Sequence, residues 1–193
     1  RADRMNLQGT IDGSGTVVRL RPSAAQRQID VGSTSDTATN TLELSDAELD
    51  RITAPLVMIG DQNSASILIS DTIDPVAIDT LHLISGGGVD QSAQLAVANL
   101  AVEAASPVNL TDRDNDFDVV AIDAPQLQLF DRDGFTVGVV DGLEGVHATG
   151  GVASLVALGG DLTIQDTPRL TDVSATGSVV ITLTGADGLL DMA

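Results

Sequence analysis

The chain contains no cysteine, tryptophan, tyrosine or lysine, and its aromatic content is 2%, three phenylalanines in 193 residues. Without cysteine there are no disulfide staples and no thiolate-ligated metals. Large aromatics normally fill the volume of a globular core. A chain that is 42% hydrophobic yet nearly free of them must fill its core with Val, Leu, Ile and Ala, which points to thin, regular layers. Glutamate is scarce too, present only at 43, 48, 103 and 144. The remaining acids are aspartates, which favour turns and disfavour helix interiors. No apolar run approaches the 18 residues of a membrane-spanning helix, and no signal-peptide pattern opens the chain. The chain is expected to be one domain over 1–193, a processed piece or segment of a longer repetitive protein.

Charge is one-sided. Nine arginines face 28 acidic residues, a formal net charge of −19. Such a field opposes nucleic acid and anionic membrane surfaces and attracts divalent cations.

The dominant pattern is apolar alternation of period two. It appears at Ile29/Val31, Leu42/Leu44, Ile67/Ile69, Leu81/Leu83, Leu95/Val97, Leu127/Leu129, Leu162/Ile164 and Ile181/Leu183. Each pair places two side chains on one face of a short strand. Gly, Asp, Asn, Ser and Thr punctuate the pairs. The best helical candidate is Ser45–Thr53, where Ser45 and Glu48 have capping-box spacing. Its length suits a turn or a single helical turn.

The strands recur at a spacing near 19. Val57, Val76 and Leu95 keep it, as do Ile59, Ile78 and Val97. Leu81 and Leu83 align with Leu100 and Val102, Val108 with Leu127 and Val146, and Leu162 and Ile164 with Ile181 and Leu183. Asp112-Arg113-Asp114 returns as Asp131-Arg132-Asp133; beyond it, Phe117, Val119, Ile122 and Asp123 align at 18 with Phe135, Val137, Val140 and Asp141. About 19 residues suit one coil of a three-sided parallel β-helix, and coils bury their inward residues only by stacking. The expected fold is therefore all-β, a right-handed parallel β-helix of roughly ten coils. A β-sandwich is the rival.

Two segments carry a family resemblance. LELSDAELDRITAPLVMIGDQNSASILIS (42–70) and FTVGVVDGLEGVHATGGVASLVALGGDLTI (135–164) resemble repeats of very large bacterial surface proteins with filamentous-haemagglutinin-like β-helices. The resemblance implies an exported or surface-anchored rod, extracellular or on the bacterial cell surface, serving adhesion, matrix or filament structure. It supplies no catalytic residues. End coils of such a stack expose strand edges unless capped, and the chain shows no evident polar cap sequence, so self-association end to end or side by side is expected; a host-surface or matrix glycan or protein is the expected ligand.

Chemistry-bearing residues are few. Asp112, Asp114, Asp116 and Asp118 alternate on one loop, and stacking at 19 brings Asp131 and Asp133 beside the first two. Several carboxylate oxygens can converge on Ca²⁺, which takes six to eight oxygen ligands. The simpler reading is a solvated acidic corner offset by Arg113 and Arg132. His82 and His147 are isolated in sequence. His82 sits between Leu81 and Leu83 and is expected to face outward, with no local partners for a triad or metal site. The glycine pairs and the Gly86–Gly88 run lack the lysine of a phosphate loop and read as corners. A polysaccharide-active β-helix would use paired carboxylates in a groove, but its usual aromatic platforms are missing here. The sequence therefore points to a structural or adhesive module rather than an enzyme, with a polysaccharide-active β-helix and a calcium-stabilised spacer as alternatives.

Overall fold

Period-two alternation can be satisfied only if every inward side chain finds an apolar layer to meet. The computed structural model describes residues 2–169, 171–185 and 187–192, and in it two parallel sheets supply that layer. The first sheet runs from Ile11–Asp12 and Val17–Leu20, both paired with Ile52–Asp61. It continues through Ile78–Ser85 and Ala96–Ala104 to Asp116–Ala124. There it forks, one branch passing through Phe135–Val137 and Leu162–Ile164 to Leu190–Met192 and the other through Val146–Ala148 to Val173–Ala175. The second sheet has eight strands, stacked as Thr41–Leu44, Gln28–Val31, Ile67–Ile69, Val89–Gln91, Val108–Leu110, Leu127–Asp131, Ala153–Ala157 and Val179–Leu183. From Ile52–Asp61 to Leu127–Asp131 the chain visits the two sheets alternately; beyond that, two first-sheet strands in succession precede each return to the second sheet. The fold is all-β, and pairing in both sheets is parallel, unlike the antiparallel sheets of an immunoglobulin-type sandwich.

The inward rows of both sheets merge into one aliphatic core. In the first sheet Val57, Leu81, Leu100, Val120 and Val137 lie in register, all fully buried. Phe117 and Phe135 lie in the same core. Seven of the eight alternating pairs are buried; Ile181/Leu183 is half-buried in the last strand of the second sheet.

The 19-residue return holds in the middle of the ladder. Leu81 pairs with Leu100, Val89 with Val108, and Val108 with Leu127. Elsewhere the return is 24 residues (Val57 to Leu81), 17 (Val120 to Val137), 26 (Leu127 to Ala153) or 28 (Ile164 to Met192). Several expected alignments therefore fail. Val76 is 82% exposed in a loop. Val146 pairs with Ile122, and Leu162 with Leu190. Thr136 rather than Val137 faces Val119. A ladder demands that each strand return in register, but the connecting loops lie outside the core and can change length at little cost.

The N-terminal end is closed. Strand Thr41–Leu44 turns back to stand outside Gln28–Val31, and the helical turn Asp46–Leu49 follows it. Glu48 accepts from the Ser45 amide at 2.9 Å, the Ser45 hydroxyl at 2.8 Å and the Leu7 amide at 2.8 Å. Glu43 accepts from the Ser33 hydroxyl and the Ala38 amide, both at 2.7 Å, which ties the 33–38 loop to the outermost strand. Leu49 is fully buried there, and Met5 and Leu7 pack on the core. The capping pair expected at Ser45/Glu48 thus serves the end of the whole ladder. Its role was hidden in the sequence because its contacts lie about 40 residues apart.

The last strands of the ladder are less buried. Val179 and Leu190 continue inward rows that are otherwise buried, yet they are 43% and 40% exposed, and Met192 is 72% exposed.

Candidate functional site

The acidic corner and the outer face of the first sheet gather the polar chemistry. At the corner, Leu110 pairs with Leu129, so Asp112 and Asp131 occupy equivalent places one rung apart. Both make the same local turn. Asp112 Oδ1 accepts the Asp114 amide at 2.9 Å, and Asp131 Oδ1 accepts the Asp133 amide at 3.1 Å. Such Asx turns shape the chain where strands change direction. Asp131 goes further, accepting the Gly134 amide at 2.6 Å and, through Oδ2, the Phe117 amide at 2.9 Å. It is fully buried. Burial pushes its carboxyl up to about 6, against the three backbone N–H groups that favour the ionised form.

Of the six aspartates expected to gather at this corner, Asp116, Asp131 and Asp133 offer oxygens within 4.8 Å of one another. Asp112, Asp114 and Asp118 stand outside that group. Arg132 offsets part of its charge, with Nη2 2.6 Å from Asp116 and Nε 3.6 Å from Asp133. Burial raises the Asp116 carboxyl, Arg132 pulls it back, and Asp133 and Asp118 push it up again. The corner is thus a turn cap and an ion-pair cluster. A cation entering it would compete with the guanidinium and with three amides.

Asn115, inside the loop expected to be solvated, is fully buried. Its amide nitrogen donates to Gln91 Oε1 at 2.8 Å, Phe130 O at 3.2 Å and Leu110 O at 3.3 Å. Its oxygen accepts from Gln91 Nε2 and the Leu95 amide, both at 2.9 Å. One side chain therefore ties together three successive rungs.

On the outer face, His82, Ala101 and Ala121 stand side by side on three adjacent strands. A hairpin inserted after Val137 covers this row. Its strands Val139–Val140 and Leu143–Glu144 pair antiparallel, and the turn between them is Asp141-Gly142, with φ of 49° and 80°. Positive φ at both positions is the geometry for which Asp-Gly is suited. Val140 packs on Ala101 and Ala121, whose small side chains let the hairpin approach. The tip delivers Asp141, whose Oδ2 lies 2.7 Å from His82 Nδ1.

His82 faces outward as expected but is only 3% exposed. Its partners were invisible locally. Glu103 comes from the next strand, with Oε1 3.2 Å from Nε2, and Asp141 is 59 residues away. The Leu81/Leu100 alignment set the strand bearing Glu103 beside that of His82, but nothing in the sequence placed the Asp141 tip over this row. His147 is buried too, and both its nitrogens are engaged: Nδ1 with the Ser174 hydroxyl at 2.7 Å and Nε2 with Glu144 O at 2.8 Å. Beside Glu103 in the same row, Asp123 is held by Arg169 at 3.4 Å. Glu103 and Asp123 line a groove of about 470 Å³ with Gln62, Ser85 and Thr149.

No family model matches this chain, and neither a curated protein nor a solved structure does.

Proposed function

We propose that the chain is a structural module of an exported bacterial surface or matrix protein, a right-handed parallel β-helix that works mechanically, as a stiff stack presenting side chains from its faces. The observation that carries this reading is the ladder itself: two parallel sheets whose inward rows merge into one continuous aliphatic core, with each strand returning in register on the one before. Such a stack is stiff because each rung buries its inward residues only against its neighbours. The resemblance of 42–70 and 135–164 to filamentous-haemagglutinin-like repeats supports the assignment to surface rods. The groove beside Glu103 does not favour catalysis, since Glu103 faces His82 and Asp123 is engaged by Arg169.

Self-association, end to end or side by side, belongs to the same reading. Each copy carries −19, so salt strengthens the contact by screening, as the Debye length falls from about 30 Å at 0.01 M to about 10 Å at 0.1 M. Light scattering across concentration and salt, with negative-stain electron microscopy, tests this. The expected result is salt-promoted association into particles that are elongated in images. A monomer at every concentration and salt, with no rods, would overturn it.

A further inference from the structure

We propose that His82 and Glu103 form a binding site for a divalent transition-metal ion, with Asp141 as the carboxylate that orients the imidazole. The argument begins with proton counting. The Asp141 carboxylate accepts at 2.7 Å from Nδ1, so Nδ1 carries a proton and donates it. In the neutral ring Nε2 is then the free nitrogen. It is buried and has no hydrogen-bond partner among the described residues, yet Glu103 Oε1 sits 3.2 Å away. A bare nitrogen facing a carboxylate oxygen at that distance is repulsive, so a positive charge belongs between them: either a second ring proton, which makes His82 an imidazolium held by two carboxylates, or a metal ion.

The spacing fits a metal ion. With metal–nitrogen and metal–oxygen bonds near 2.1 Å, a 3.2 Å separation subtends about 100° at the ion, between octahedral and tetrahedral angles. The Asp141–His82 contact is the arrangement by which a carboxylate fixes the tautomer and raises the basicity of a metal-bound imidazole. Asp141 reaches this position only because the 138–145 insertion leaves the ladder and seats Val140 on Ala101 and Ala121. Glu103 borders the groove, from which water can fill the remaining coordination positions. An imidazole–carboxylate pair suits Zn²⁺, Co²⁺, Ni²⁺ or Cu²⁺, whereas Ca²⁺ takes oxygen ligands. The other histidine offers no such site, because both nitrogens of His147 are engaged. This inference is independent of the mechanical reading above.

Calorimetric titration of the full chain with ZnCl₂, and with CoCl₂ followed by visible absorption, tests it. The expected result is one ion per chain, with a Co²⁺ spectrum showing nitrogen ligation and Zn²⁺ shifting the His82 ring resonances in NMR of the unsubstituted chain. Affinity should fall more than tenfold in His82→Gln and in Glu103→Gln, and about 10- to 100-fold in Asp141→Asn. Asp116→Asn at the acidic corner should leave it unchanged. Absence of binding at millimolar metal would overturn the proposal. So would binding that His82→Gln leaves intact, or NMR showing that Nε2 carries a proton that zinc does not displace.

Discussion

Replacing Asn115 probes the ladder at the point where one side chain joins three rungs. In Asn115→Ala the Leu95 amide and the Leu110 and Phe130 carbonyls lose their shared partner in a fully buried site. Each buried polar group left without a partner costs about 1–3 kcal/mol. The Leu95 amide bears the fuller penalty, because a carbonyl has a second lone pair, so the total is about 3 kcal/mol. Asn115→Asp is nearly the same size but replaces the donor nitrogen with an oxygen. That oxygen would face the Leu110 and Phe130 carbonyl oxygens, adding repulsion and an unpaired buried charge. The loss should reach about 4 kcal/mol or more at pH 7 and shrink towards the alanine value near pH 4, where the introduced carboxyl can protonate. Urea unfolding at both pH values, each read against the unsubstituted chain, measures this through the transition midpoint at unchanged slope. The reasoning fails if Asn115→Ala costs under about 1 kcal/mol or if Asn115→Asp is no worse than Asn115→Ala.

Three further outcomes follow from the same geometry. Asp131 has its carboxyl raised by burial from 3.8 to about 6. Its contribution is therefore fully present below pH 3.8 and is lost as pH rises through about 6, a fall of about 3 kcal/mol. Melting curves across this window should be flatter in Asp131→Asn, and parallel curves would refute the burial argument. Gly160 has φ +56° and would set a Cβ against the Asp133 carbonyl oxygen, whereas Gly15, at φ +76°, has open space around it. Thermal unfolding should show Gly160→Ala losing at least about 2 kcal/mol and Gly15→Ala about 1; equal losses would show that the rung contact is slack. At the acidic corner, Arg132→Gln removes the cation that pairs with Asp116 and Asp133. A calcium titration should raise the melting temperature of that variant more than that of the unsubstituted chain. Flat responses in both would end the calcium reading of this corner.

The two features most tied to chemistry arise where the chain departs from its regular spacing. The detour through 32–50 closes the N-terminal end, and the insertion at 138–145 covers His82. Neither disturbs the inward rows, because a parallel ladder constrains where a strand returns and leaves the intervening chain free to elaborate.

Alternation at pairs such as Ile67/Ile69 and Leu127/Leu129 was sufficient to identify the strands and their buried faces. Side-chain direction in a strand repeats every two residues, whatever the strand pairs with. The scarcity of aromatics pointed to narrow aliphatic layers, and the repeated Asp-Arg-Asp located two equivalent corners one rung apart. Which strand meets which was decided by tertiary structure, because register depends on loop lengths that vary from rung to rung. Val57 therefore pairs with Leu81, and Val76, at the spacing of 19, lies in solvent. Only three-dimensional proximity could turn Asn115 from a loop polar residue into a buried tie, or bring Glu103 and Asp141 to the two nitrogens of His82. Those partners come from other rungs, and no spacing along the chain encodes the approach of side chains across a stack.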